Sequence, residues 1–170
     1  MDRRIFGFGA VALMGLSACS SPPSRGTKFR SYDGPEVTSL VINKGARKMY
    51  ALHNTEILRE YDAELGLAPD GEKNIAGDGK TPEGTYLIDR RNPNSSFHLS
   101  LGISYPNSRD IAEAKRLGKK PGGQIFIHGE PNRQKAKGAD WTAGCIAVKN
   151  DEIEELYAMV TNGTLITLRP

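Results

Sequence analysis

The sequence lacks a strong imbalance of charge. Its 23 Lys and Arg residues nearly match its 20 Asp and Glu residues, which leaves a formal net charge of +3. The basic residues are dispersed, and no basic tract alternates with aromatic residues, a pattern typical of nucleic-acid binding. We therefore expect a surface of mixed, solvated charges and no nucleic-acid partner.

The sequence also lacks an apolar run long enough to span a bilayer. Its N-terminal apolar run, residues 5–16, follows a short basic segment and ends at Leu16-Ser17-Ala18-Cys19. This order resembles a lipobox, the processing signal of bacterial lipoproteins. We therefore expect residues 1–18 to be a cleaved signal peptide and Cys19 to carry the lipid. An ordinary secretory signal is the alternative.

The residues that follow predict how such a lipoprotein would be arranged. Residues 19–35 are rich in Ser, Pro and Gly, which indicates a flexible tether, and residues 36–170 have the length of one globular domain. Several acyl chains anchor a protein stably. By resemblance to Gram-negative lipoproteins, Ser20 after the lipidated cysteine predicts the outer membrane. We expect a periplasmic, lipid-anchored monomer.

Cysteine is scarce, and this limits what Cys145 can do. Only Cys19 and Cys145 occur in the chain, so a lipid on Cys19 would leave Cys145 without an intrachain partner. A lone thiol is unusual in an export compartment, because such compartments oxidise thiols. Cys145 is then either a buried core thiol or a catalytic nucleophile.

A catalytic thiol needs a base nearby, and His128 is the candidate. The apolar residues 125–127 predict a buried strand that delivers His128 at its end. The small residues of Thr142-Ala143-Gly144-Cys145 predict a turn whose backbone N–H groups can approach a substrate carbonyl.

The pattern along the chain predicts a mainly β domain with two short helices. The helices are expected at 111–118, ending at a Gly, and at about 151–160, capped by Asn150 or Asp151. Residues 66–84 predict a long loop without the spacing of a phosphate-binding loop. Periodicity alone favours a helix over residues 55–65. Strands are expected at 37–42, 48–52, 85–89, 97–104 (half buried), 124–127, 144–148 and 165–168.

Several segments, in order, resemble the L,D-transpeptidase (YkuD-like) family. They are His128-Gly129, Thr142-Ala143-Gly144-Cys145-Ile146, the loop at 77–86, Ser104-Tyr105-Pro106-Asn107 and residues 121–125. The resemblance covers about residues 37–168. It implies a β-sandwich-like or barrel-like catalytic domain, and it favours a strand over a helix at residues 55–65.

The resemblance also implies a chemistry, which is acyl transfer without metal or organic cofactor. Cys145 would be the nucleophile and His128 the general base and acid. The Gly129 carbonyl would orient the imidazole, and the N–H groups of Ala143, Gly144 and Cys145 would form the oxyanion hole. The expected partners are peptide stems of peptidoglycan, whose acyl group passes to an amine.

Two departures from the family leave the reaction open. Ala143 and Ala147 stand where the family often has His before the cysteine and Arg after it. The segment from Asp140 to Ala147 fits a branch, Asp-Trp-Thr-x-Gly-Cys-Ile-Ala, some members of which are thought to cut peptidoglycan stem or protein links. Hydrolysis at the same site, or wall binding without catalysis, are therefore alternatives.

Further residues are candidates for the substrate cleft. Tyr105, Trp141 and Thr142 are expected to bind substrate. His98, expected on a strand, is either a packed residue or a cleft residue. Asp140 is expected to brace the active-site turn, and a triad through its carboxylate is the alternative.

Overall fold

The computed structural model describes residues 27–133, 136 and 138–170. Eight strands form a single curled sheet, and two helices complete the domain, so the prediction of a mainly β fold is confirmed. The elements in chain order are β1 (Ser39–Asn43), β2 (Lys48–His53), β3 (Glu56–Asp62), β4 (Gly84–Asn92), β5 (Ser100–Ile103), α1 (Ser108–Arg116), β6 (Phe126–His128), β7 (Ile146–Ala147), α2 (Asn150–Met159) and β8 (Leu165–Arg169).

The sheet has the order β3-β2-β1-β8-β4-β5-β6-β7. The pairs β1–β8 and β6–β7 are parallel, and the other pairs are antiparallel. The first half of β4 pairs with β8 up to Leu87, and the second half pairs with β5 from Ile88 on, with a shift of register after Ile88. This change lets the sheet curl, because a register irregularity increases the local twist.

Alternating side chains explain the strands of the first hairpin. Leu40 and Ile42 of β1 and Met49 and Ala51 of β2 are fully buried, while their neighbours are partly exposed. Arg47 takes a left-handed conformation, φ 54°, at the end of the turn.

Residues 55–65 confirm the strand that the resemblance favoured over the helix. The segment forms β3 at the edge of the sheet, with five of its seven residues exposed. Its helical periodicity was misleading, because an edge strand with one covered face buries few side chains.

The expectation of a half-buried strand at residues 97–104 is wrong. Only residues 100–103 are extended, and all four are buried, since β5 lies between β4 and β6 and contacts α2. His98 therefore lies in a turn before the strand, with φ 67°.

The two helices occur where they were predicted, with one difference at a cap. Gly118 follows α1 with φ 65°, as expected for a terminating Gly. Helix α2 begins after Lys149, whose N–H donates to Glu152 at 2.9 Å. Asn150, which was expected to cap the helix, instead accepts a hydrogen bond from the N–H of Glu130.

The second half of the predicted tether packs on the domain. Residues 27–38 contain no helix or strand. Arg30 nevertheless pairs with Glu154 of α2 at 2.9 Å, and the ring of Phe29 lies 6.2 Å from that of Tyr157. The signal peptide at 1–18 and the lipid on Cys19 were predicted for residues outside the described part of the chain.

None of the helices described is both long and apolar enough to cross a membrane.

Candidate active site

His128 ends β6 and is almost fully buried, with 3% of its surface exposed. Its Nδ1 lies 2.7 Å from the carbonyl oxygen of Gly129. A carbonyl can only accept, so Nδ1 carries the proton and Nε2 keeps a lone pair for a base. Burial lowers the pKa of His128, and the Gly129 carbonyl opposes this effect. The residue is thus a neutral imidazole at physiological pH.

The backbone after His128 is clamped from two sides. The Gly129 N–H donates to the carbonyl of Phe97 at 3.0 Å, and the Glu130 N–H donates to the Asn150 side chain at 2.8 Å. A Cβ on Gly129 would lie only 2.5 Å from Asn150 Oδ1. The clamp holds the Gly129 carbonyl in place for Nδ1, and only a glycine fits there.

Cys145 follows a tight turn that is closed by Thr142. The Thr142 hydroxyl donates to the carbonyl of Cys145 at 2.8 Å and accepts from the N–H of Gly144 at 3.1 Å. Gly144 has φ 126°. The turn is tied to the segment after β3, because Thr142 N–H donates to Leu65 and its carbonyl accepts from Leu67.

The thiol of Cys145 is partly buried, and its hydrogen bond is to a backbone carbonyl. Its Sγ lies 3.5 Å from the carbonyl oxygen of Gln124, to which the thiol donates. Burial raises the pKa of Cys145, and the backbone N–H of Phe126 and the charge of Lys73 lower it. The thiol and the imidazole are therefore both neutral before substrate binds.

The three N–H groups that were predicted to form the oxyanion hole differ in their hydrogen bonds. The Gly144 N–H donates to the Thr142 hydroxyl, so it is not available as a donor to a substrate. Within the described part of the chain, the N–H groups of Ala143 and Cys145 donate to no other group. Two donors are thus available beside the thiol.

His128 and Cys145 line one groove of about 1230 Å³. This exceeds the ~300–1,000 Å³ of a typical small-ligand pocket, so the groove can hold an extended substrate. Its remaining walls are Leu67, the turn at 94–97, the loop residues 131–133 and 136, and Trp141, Thr142 and Ala143.

Aromatic rings fix the imidazole within the groove. The ring of Phe97 lies 4.4 Å from that of His128, and the ring of Trp141 lies 5.5 Å from it in an edge-on arrangement. Trp141 and Thr142 thus lie in the groove, as expected of cleft residues. Phe97 was not identified from the sequence, because it was expected within a strand.

Tyr105 and His98 do not line the groove, which corrects their placement in the cleft. Tyr105 is buried and its hydroxyl donates to the carbonyl of Pro121 at 3.0 Å. His98 Nε2 lies 2.7 Å from a carboxylate oxygen of Glu154 on α2. Both residues have partners that hold the fold together.

Asp140 braces the active-site turn, which is the first of the two roles predicted for it. Its carboxylate accepts from Arg47, at 2.7 Å for the shortest contact, and from the N–H of Leu65 at 2.9 Å. The partner of His128 Nδ1 is the Gly129 carbonyl, so Asp140 is not the third member of a triad.

Gln124 and Asn150 are the positioning residues that the sequence did not identify. Gln124 presents its carbonyl to the thiol from a left-handed conformation, φ 58°, and the preceding Gly122-Gly123 was the only local sign of an irregular backbone. Among the described residues, no group of three or more His, Cys, Asp or Glu residues is arranged to hold a metal ion.

Comparison with known families matches residues 38–168 to YkuD, the L,D-transpeptidase catalytic domain. The "Putative L,D-transpeptidase YafK" of Escherichia coli (strain K12) is 27% identical in an alignment of length 169 that covers 94% of this chain and 61% of YafK. This chain therefore spans less than two thirds of that relative.

Solved structures show the same fold. The helical cell shape determining protein Pgp2 from Campylobacter jejuni has a TM-score of 0.60 and 28% identity, over 80% of this chain and 52% of Pgp2. L,D-transpeptidase 1 of Mycobacterium tuberculosis has a TM-score of 0.52 at 17% identity, over 79% of this chain and 62% of that one. The latter likeness concerns the fold alone.

Proposed function

Because this chain belongs to the YkuD family of L,D-transpeptidase catalytic domains, we propose that it transfers peptidoglycan stem peptides through an acyl-enzyme on Cys145. The observation that carries the proposal is the presence of Cys145 and a Gly129-oriented His128 in one groove. A thiol, a neutral base and two free N–H donors are the groups that acyl transfer requires.

The first step forms the acyl-enzyme. The thiol turns from the Gln124 carbonyl toward Nε2 of His128, which takes its proton as sulfur attacks the carbonyl carbon of the donor stem. The N–H groups of Ala143 and Cys145 stabilise the oxyanion. His128 then gives the proton to the leaving amine, and the terminal D-residue departs.

The second step transfers the acyl group to an acceptor. An amine of a second stem attacks the thioester, and His128 takes the proton from that amine. The sulfur leaves as the thiolate, which recovers the proton from the imidazolium. Trp141 forms a wall of the cleft for the stem peptide. Water in place of the amine would give hydrolysis.

The proposal includes the cellular setting. We propose a periplasmic lipoprotein in which the lipid on Cys19 anchors the domain to the outer membrane. Peptidoglycan lies within reach of a domain so anchored.

The test uses purified protein and purified tetrapeptide-stem muropeptides, with Cys145→Ala as the control. Mass spectrometry should detect a crosslinked dimer that has lost one D-alanine, and this product should be absent with the variant. A shortened stem that has gained water would show that the protein hydrolyses stems and does not transfer them. Activity retained by Cys145→Ala would exclude the thioester mechanism.

A further inference from the structure

The turn at residues 93–98 forms one wall of the groove and also contacts the proposed base. Four of its residues line the groove, which are Asn94, Ser95, Ser96 and Phe97. The ring of Phe97 lies 4.4 Å from that of His128, and the Phe97 carbonyl accepts from the N–H of Gly129 at 3.0 Å. The position of this turn therefore affects how the imidazole and its orienting carbonyl are held.

Lys28, in the segment before β1, closes this turn across its two ends. Its ammonium group donates to the carbonyl of Pro93 at one end and to the carbonyl of His98 at the other, the latter at 3.3 Å. A surface turn opens readily unless other groups hold it, and hydrogen bonds from a charged donor are stronger than those between neutral groups. Lys28 does not line the groove, so it holds the turn from outside.

A second contact joins the same segment to the turn. Arg30 donates to one carboxylate oxygen of Glu154 at 2.9 Å, and the other oxygen lies 2.7 Å from Nε2 of His98. Glu154 belongs to α2, so the helix, the turn and the segment meet at one carboxylate. The first residues of a domain are ordered only where contacts tie them down, and here the groove wall supplies part of those contacts.

On its other side the turn is held by Asn132, four residues after His128. The Asn132 side chain accepts from the N–H of His98 at 2.9 Å and donates to the carbonyl of Ser95 at 2.9 Å, and its N–H donates to the carbonyl of Ser96 at 3.0 Å. The turn thus lies between the segment before β1 and the loop that follows His128. Loss of Lys28 would free the turn on one side only.

We propose that Lys28 is a positioning residue for the reaction: by closing the turn at 93–98, it holds Phe97 against His128 and fixes a wall of the groove. The segment that leads to the predicted lipid anchor is then part of the support of the site and not only a linker. The inference rests on the proposed function, because it concerns the base and the groove of that reaction. Lys28 itself touches no reacting group and acts through the turn.

The first test measures amide hydrogen exchange by NMR in the full-length chain, without substrate. The amides of His98 and Gly129 report on the turn and on the backbone beside His128. Lys28→Met removes the ammonium group and keeps an apolar side chain, so it should speed exchange at both amides by about tenfold, the order of effect of one lost hydrogen bond. Lys28→Arg keeps the charge and should restore slow exchange.

The second test measures steady-state transfer with tetrapeptide-stem muropeptides. In Lys28→Met, kcat should fall by about three- to tenfold, less than the ~100-fold effect of a 1 Å misplacement, because Asn132 still holds the turn. KM should rise, because the groove wall shifts. A partly folded variant would lower kcat and leave KM unchanged, so the rise in KM and its reversal in Lys28→Arg separate positioning from a loss of stability.

Lys48→Met is the matched control. Lys48 also binds two acceptors, Glu60 and Asp62 at 2.8 Å each, but both belong to β3, at the opposite end of the strand order from β6 and β7. The variant should leave exchange at His98 and Gly129, and both kinetic constants, unchanged. Its thermal unfolding midpoint gives the loss of stability that a broken lysine contact causes by itself.

Unchanged exchange at both amides in folded Lys28→Met, or the same acceleration in Lys48→Met, would overturn the inference. Faster exchange with unchanged kcat and KM would also overturn it, since the turn would then not matter for the reaction. The exchange measurement needs no peptidoglycan. An unmodified protein that forms no product from muropeptides would therefore contradict the proposed function, while exchange would still decide whether Lys28 holds the turn beside His128.

Discussion

Gly144 precedes the nucleophile in a conformation, φ 126°, that residues with a side chain rarely adopt. A Cβ at this position would also lie 2.5 Å from the Lys80 carbonyl oxygen. Gly144→Ala should therefore displace Cys145 and lower the rate of acyl transfer by at least about 100-fold, the effect of a misplacement near 1 Å. The free energy of unfolding should fall by about 1–3 kcal/mol.

Gly163→Ala is the control that separates the strain of a positive φ from the clash with the Lys80 carbonyl. Gly163 also has a positive φ, 95°, but nothing lies within 4 Å of its Cβ position. Denaturant unfolding should show a smaller loss of stability for this control, and the rate of acyl transfer should not change. Equal rates in both variants would show that the space beside Gly144 is not needed for the reaction.

His128 determines the acid side of the pH profile. Burial disfavours the imidazolium, so the pKa of His128 lies below its ordinary value of 6.5. The neutral base form then persists to lower pH than in an exposed histidine, and kcat/KM should fall only below pH 6.5. Steady-state rates from pH 5 to 8 check this, with circular dichroism to confirm folding at each pH. A midpoint above 6.5 would contradict the assignment of a neutral base.

At the scale of elements, α2 supports the site from behind. Its first residue, Asn150, accepts from the N–H of Glu130 at 2.8 Å and packs against Gly129. Asn150→Ala should leave that N–H unpaired and loosen the Gly129 carbonyl that orients His128. We expect kcat to fall about tenfold with KM nearly unchanged, and stability to fall by about 1 kcal/mol.

Asp151→Ala provides the control for the start of α2. Asp151 is exposed in the first turn of the helix, and Asp151→Ala shortens a side chain beside Asn150 that has no hydrogen bond to residue 130. Its kcat should match that of the unmodified protein. If both variants lose the same activity, the helix acts through its overall stability and not through the Asn150 side chain.

The elements also show where sequence patterns fail. Strands β1 and β2 alternate clearly, because one face of each is covered and the other is open. The edge strand β3 buries too little to show that pattern, and the central strand β5 is buried on both faces. Periodicity reports which faces are covered, and coverage depends on neighbours that are distant in the chain.

At the scale of the whole molecule, the packed segment before β1 connects the domain to its predicted anchor. Arg30 and Phe29, which were predicted to belong to the tether, contact α2. Cys19→Ser should abolish incorporation of labelled palmitate and move the protein from the membrane fraction to the soluble fraction. Cys145→Ser should retain both the label and the membrane association.

The sequence by itself determined the mainly β class, the two helices, the pair His128 and Cys145, and the turn at 142–145. These features depend on local alternation, on turn-forming residues and on a short spacing between two reactive groups, which are all readable along the chain. It also led to the correct interpretation of residues 55–65, once the resemblance was added to the pattern.

Only the tertiary structure decided which groups support that pair. The carbonyl of Gln124 and the side chain of Asn150 reach the site from other segments. Tyr105 and His98 were excluded from the groove in the same way. The physical reason is that such contacts are fixed by strand order and by the curl of the sheet, which bring together groups that no local pattern relates.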